Sequence, residues 1–246
     1  MGLFMKVLAS ERLKLSKSFI WLLVPISPLI ALLTGLLVNL EEAPLVEHFA
    51  ILLTAMGLMH AMLILPIMTG ILSAFVCRYE HGGGGWKQLL ALPISRSSLY
   101  IAKFTIVALL LGITQLLFLI AVIVVTAYHG IDGGVPWDIL LSSVIGGWIA
   151  CLPLAALQLW ASIGWSSFAA PLAVNVMMTL PNMLIVNSAT YGPFYPWAQP
   201  MLAMLSSGNM DFGGFALPLE NLLITVLGSF VIVFIGGLIY FNRREI

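Results

Sequence analysis

Apolar residues run along this chain in long blocks separated by short polar joints. Six blocks stand out, at 19–40, 49–77, 104–128, 139–163, 168–189 and 219–241. A helix needs about 20 apolar residues to cross a bilayer core of about 30 Å, so the pattern predicts six transmembrane spans. The second block, at 29 residues, would make roughly 43 Å of helix. It must tilt, kink at Pro66 or project from the bilayer. Prolines also interrupt the first block (Pro25, Pro28), the fourth (Pro153) and the fifth (Pro171, Pro181). A proline within a span frees a backbone carbonyl that a neighbouring helix must satisfy, which favours protein-facing positions for these sites.

The joints differ in character. Residues 1–18 alternate with helical period: Leu3, Phe4, Val7, Leu8 and Leu15 share one face, and Lys6, Ser10, Arg12 and Lys17 lie elsewhere. Glu11 falls at the centre of the apolar face, where a carboxylate is costly unless paired. It either reaches a basic group of the 78–103 joint, Arg78 or Lys103, or snorkels to the interface. This stretch lacks the small-residue cleavage site of a secretory signal, so it is expected to stay as an interfacial helix. The 78–103 joint holds four glycines, Gly82 to Gly85, then a short helix candidate, Trp86 to Leu92, stopped by Pro93. Ser95 or Ser97 suits the cap of the helix that follows. Trp86, Leu89 and Leu90, set among Lys87 and Arg96, either dock against a partner or lie on the membrane surface. The joint at 191–218 is rich in proline and aromatics, among them Tyr195 and Trp197. It reads as a re-entrant or gating piece, or as an aromatic belt anchoring helix ends.

Composition narrows the class. Of 246 residues, 61% are hydrophobic and 8% charged, where a soluble domain carries about a quarter charged. A soluble enzyme, a disordered tail and a basic nucleic-acid binder are excluded. The formal net charge of zero conceals an asymmetry. With the N-terminus placed in the cytoplasm and the spans alternating, all ten Lys and Arg fall inside. Three acids join them (Glu11, Glu80, Glu245), giving +7. Outside lie Glu41, Glu42, Glu47, Asp132, Asp138, Asp211 and Glu220, giving −7. This is a positive-inside distribution, and the outer acidic rim suits attraction of cationic peptides.

Candidate chemistry is sparse. Cys77 and Cys151 lie in apolar blocks with no metal-ligand spacing. A phosphate-binding loop needs Gly-Lys-Ser/Thr after its glycines, but Trp86 precedes Lys87 and Gln88 follows it, so ATP is not expected on this chain. Glu41-Glu42 lacks the Arg of the paired-glutamate protease motif, since position 46 is Val. The polar residues within the spans are His60, Gln115, Gln158, Asn175 and Asn182, with Asn187 near an end. No span carries a mid-membrane charge, which disfavours a proton-coupled pump.

The run Glu80 … Gly85-Trp86-Lys87-Gln88-Leu89-Leu90-Ala91-Leu92-Pro93-Ile94-Ser95-Arg96 … Lys103-Phe104 resembles the cytoplasmic loop of type-2 ABC transporter permeases. It is most similar to those of lantibiotic-immunity and bacitracin-resistance systems. Glu11-Arg12-Leu13-Lys14-Leu15, Gln158-Leu159-Trp160 and Ser167-Phe168-Ala169-Ala170-Pro171 resemble the same family. Two departures stand out. Gly85 replaces a common Thr, suggesting a more flexible loop, and no basic residue occurs at 164–167.

The resemblance implies an all-α membrane protein forming one domain over 1–246. Its parts would be an elbow helix at 1–18 with Glu11 and Lys14, six spans, a coupling loop at 78–103 and a re-entrant element within 191–218. It implies ATPase coupling through Glu80, Gly85, Trp86, Lys87, Leu89, Leu90, Pro93 and Arg96, with the helix at Trp86 to Leu92 filling a groove on the ATPase. Elbow and loop would pair through Glu11, Lys14, Arg78 and Lys103. Tyr195, Trp197 and Asp211 are candidates for an outer gate or substrate contact. No catalytic residue, metal or cofactor is expected on this chain; ATP and Mg would sit on a separate ATPase. The expected partners are two ATPase chains, a second permease (identical or homologous), an amphiphilic peptide substrate and the bilayer, with no nucleic acid. The expected location is the bacterial plasma membrane with both termini cytoplasmic. The alternative is a self-assembling channel or holin-like pore that needs no nucleotide.

Overall fold

Prolines and their polar neighbours set the breaks in this all-helical fold. The computed structural model describes residues 2–16, 18–41, 43–82, 85–131, 134–206 and 213–244. Among them no strand occurs. Helix α1 (Leu3–Ser16) meets the next helical stretch at 77°. That stretch breaks at Pro25 into α2 (Ile20–Leu23) and α3 (Ile26–Leu36). Pro28 has no N–H for the carbonyl of Val24, and Thr114 Oγ1 donates to that oxygen from 3.4 Å.

The second helical stretch, Leu45–His81, contains α4 (His48–Gly57), a π-helical segment (Leu58–Ile64) and α5 (Leu65–His81). The π segment stands directly before Pro66, whose ring crowds the carbonyl of Met62. The wider turn relieves that crowding, and Asn182 Nδ2 donates to Met62 O at 2.8 Å. His60, within the π segment, is buried; its Nδ1 lies 2.8 Å from Ser27 Oγ and its ring stacks on Phe118 at 4.2 Å.

Helices α7 (Arg96–Tyr128) and α8 (Trp137–Gly164) form the long central pair, with α6 (Gly85–Leu90) leading into α7. Ser95 Oγ caps α7 by accepting from Ser98 N at 3.1 Å. Beyond α8, α9 (Ala169–Thr179) and α10 (Asn182–Ile185) run antiparallel to α5. Phe168 meets Phe75, Asn175 Nδ2 donates to Pro66 O, and Asn182 reaches Met62. Gly70 makes room for this approach, since a Cβ there would strike the Asn175 amide.

Helix α11 (Gln199–Leu205) is buried at every residue. Met204 rests against Gly147 of α8, and Gln115 Nε2 lies 3.5 Å from its sulfur. Helix α12 (Leu219–Arg243) packs along α8 and leaves most of its apolar surface facing outward.

Among the described residues four helices are long and apolar enough to cross a membrane, or five if the bent pair α1 with α2–α3 counts as one span. Over the expected fifth span, 168–189, the structure shows the 17-residue helical stretch Ala169–Ile185, broken at Leu180–Pro181. Pro181 and the preceding turn end α9 before it reaches spanning length.

Candidate functional site

The basic ends of α1, α5, α7 and α12 and the uncharged end of α8 gather around α6. Val7, Glu11 and Leu15 occupy one stripe of α1, at four-residue spacing, and all three are buried. Glu11 therefore enters the protein and needs a cation. Lys14 Nζ lies 2.5 Å from Glu11 Oε1 and 2.6 Å from Glu80 Oε1. Lys103 Nζ lies 2.7 Å from Glu11 Oε2 and 2.9 Å from Glu80 Oε2. The last contact is off the hydrogen-bonding direction and is an ion pair. Two carboxylates and two ammonium groups thus form a closed ring joining α1, the end of α5 and the start of α7. Lys103, fully buried, also donates to Val76 O at 2.8 Å. Arg78 takes no part; its guanidinium lies over Phe75 at 5.5 Å.

Trp86 covers this ring. Its indole lies 5.7 Å from Lys103 Nζ and 5.5 Å from the Phe241 ring, and its Nε1 donates to His81 Nδ1 at 3.4 Å. Trp86 is only 7% exposed. The expectation that it fills a groove on a partner is therefore corrected: its own chain encloses it. Leu89 and Leu90 are half-buried against the same apolar cluster. The outward face of the joint is Lys87, Gln88, Ala91, Leu92 and Pro93, with Leu92 53% exposed. The helix itself starts at Gly85 and ends at Leu90, short of the expected Leu92.

Gly85 also has a reason other than flexibility. A Cβ there would stand 2.9 Å from Glu80 Cα and from Tyr79 O. Only glycine lets α6 fold back this closely on the end of α5, because both obstacles are backbone atoms that cannot turn aside.

Arg96 ties the joint to the last helix. Its Nη1 donates to the carbonyls of Phe241 (3.2 Å), Asn242 (3.3 Å) and Arg244 (2.5 Å). Arg244 donates in turn to Ile163 O, and His81 Nε2 lies 2.7 Å from Ser162 O. Cations suit these positions because helix C-termini expose carbonyls and partial negative charge. His81, Phe241 and Arg244 were not among the sequence-derived site residues. The placement of His81 and Arg244 near helix ends was the available signal.

Tyr195 and Trp197 do not meet this site. Trp197 is buried and donates to Asn175 Oδ1 at 2.8 Å, and Tyr195 Oη donates to Met178 O at 2.5 Å. Both pin the 191–198 segment to α9. Asp211 lies outside the described residues. No group of His, Cys, Asp and Glu able to hold a metal ion occurs among the described residues.

A family model described as ABC-2 family transporter protein matches residues 7–182. The chain belongs to this family. The match takes in the charge ring and α6 and ends at Asn182, before α11 and α12. No curated protein matches the chain. This ABC-2 protein is a permease subunit of an ABC transporter, and its family associates with ABC ATPase partners. Ring, indole and arginine clamp leave α6 little freedom to move alone.

Proposed function

We propose that this chain is the membrane half of an ABC exporter that removes an amphiphilic peptide of the lantibiotic or bacitracin type from the bilayer. ATP and Mg bind on two separate ATPase chains, and a second permease, identical or homologous, completes the transporter. The protein sits in the bacterial plasma membrane through six spans, α2–α3 and α9–α10 being the short ones, with both termini in the cytoplasm. The observation that carries the reading is the seating of α6 through Trp86, which meets His81 of α5 and Lys103 of α7 inside the family-matched region and Phe241 of α12 beyond it. The loop resemblance supports the peptide substrate, and the absence of mid-span charge agrees with driving energy drawn from nucleotide rather than from protons.

In this mechanism the ATPase docks on Lys87, Gln88, Leu92 and Pro93. Closure of the ATPase pair displaces α6, and the ring carries the displacement to α1 and α7. Arg96 and His81 carry it to α12 and α8. The two permeases then shift against each other.

Leu92→Asp places a charge on the docking face without touching Trp86 or the ring. The expected result is loss of ATPase co-purification with normal membrane insertion. Retention of the ATPase at wild-type stoichiometry would remove the coupling assignment. A nucleotide-independent pore would show no ATPase in either preparation.

A further inference from the structure

Between the end of α8 and the basic end of α12 lies a groove of about 320 Å³, lined by Leu157, Trp160, Ala161, Gly164, Trp165 and Tyr240. Its base is apolar and its mouth is aromatic. Trp160 and Tyr240 stand 6.0 Å apart as tilted rings, and Trp165 and Tyr240 are exposed. Gly164 lines the groove beside the Tyr240 ring, where a Cβ would stand in ordinary contact at 3.6–3.9 Å. Gly236 lies directly behind Trp160 and fixes the depth of that wall.

Charge stands at the same mouth. Arg243 and Arg244 follow Tyr240 by three and four residues, and the Arg244 guanidinium lies over the Tyr240 ring at 5.9 Å. Arg243 is exposed, and among the described residues neither arginine has a carboxylate partner. Glu11 and Glu80, the acids described at this end, are already neutralised within the ring. Arg244 uses one N–H on Ile163 O, which leaves guanidinium donors for another acceptor.

We propose that this groove binds one anionic phospholipid. An acyl chain lies along Leu157, Trp160 and Ala161. Trp165 and Tyr240 sit at the glycerol level, where indole and phenol rings settle in a bilayer. The phosphate and anionic headgroup meet Arg243 and Arg244, as basic pockets between helix ends on the positive side meet such lipids. A zwitterionic lipid would bring the same chain with an added cation that the arginines repel. Charge complementarity, rather than the apolar wall alone, therefore selects the occupant. Because Arg96 of the coupling loop holds the Arg244 carbonyl at 2.5 Å, the bound lipid would brace the joint between that loop and α12. The site does not depend on the identity of the transported molecule.

The test uses the full chain, purified in detergent, exchanged into mixed micelles of phosphatidylglycerol and phosphatidylcholine, and read by native mass spectrometry. The wild type should retain one phosphatidylglycerol in at least tenfold preference. Arg243→Gln with Arg244→Gln should lose that preference, and Trp165→Ala should weaken retention severalfold. Lys6→Gln with Arg12→Gln, at the same end but far along the chain, should leave it unchanged. Equal retention of the two lipids by the wild type would overturn the proposal. So would an equal loss in the Lys6/Arg12 variant, because general charge would then suffice. If the double arginine variant does not fold, Arg243→Gln alone, exposed at the end of α12, should still reduce the preference severalfold; an unchanged preference there would also overturn it.

Discussion

Lys103 has no exposed surface; it donates to Glu11 Oε2 and Val76 O and pairs by charge with Glu80 Oε2. Removing one partner of a buried ion pair costs about 3–5 kcal/mol, because the remaining charge stays enclosed. In Lys103→Met, Glu11 and Glu80 would share Lys14 alone. A fall in stability of about that size is expected in thermal unfolding of the detergent-solubilised chain, with partial recovery when Glu80→Gln is added. A neutral effect of Lys103→Met would show that the ring is solvated. Glu11 was legible in the sequence as a residue that needs a partner, since a carboxylate at the centre of an apolar helix stripe is costly alone. Its choice of Lys103 over Arg78 was not, because that depends on how the ends of α5 and α7 meet. The burial of Trp86 was likewise hidden. A tryptophan beside glycines in a polar joint reads as a docking residue until His81 and Phe241 are found around it.

The helices are interrupted where proline removes a donor, and the polar residues within the spans answer those interruptions. Asn182 donates to both Met62 O and Trp197 O, and Asn175 donates to Pro66 O. One pair of side chains therefore joins the π segment, the α9–α10 break and the entry to α11. Asn182→Leu should lower thermal stability by about 1–2 kcal/mol, the scale of an interhelical hydrogen bond in lipid. Pro66→Ala restores a backbone N–H near the Met62 carbonyl, so it should be less harmful, or helpful, in the Asn182→Leu background. A double-mutant cycle with no coupling would separate the two sites. The prolines were plain in the sequence, and so was the need for a donor. Which residue supplies each donor was not, because Thr114 and Val24 are separated by 90 positions and Asn182 and Met62 by 120.

Across the whole molecule, the basic residues gather at the end that carries α6, and the positive-inside tendency makes this the cytoplasmic end in the proposed orientation. Cys77 and Cys151 are buried, so added thiols report without interference. In intact cells a membrane-impermeant maleimide should label Asn39→Cys but not Gln88→Cys, both positions being exposed; the reverse pattern would invert the proposed topology. The spans predicted at 168–189 and 19–40 were the hardest to read, since apolar composition does not reveal how much helix survives around Pro181 and Pro25. What survives has a physical consequence. Ile20–Leu36 and Ala169–Ile185 each cover 17 residues, about 25 Å of helix at most. Helix α7, with 33 residues, reaches about 50 Å. Both short stretches present apolar side chains outward, among them Leu29, Leu33, Met177 and Leu184. In the proposed six-span arrangement a hydrocarbon layer of about 30 Å would have to thin to meet them, at a fraction of a kcal/mol per Å. In that arrangement the protein would carry its own dents in the bilayer along these two helical stretches, shortening there the oily distance that the proposed amphiphile has to cross.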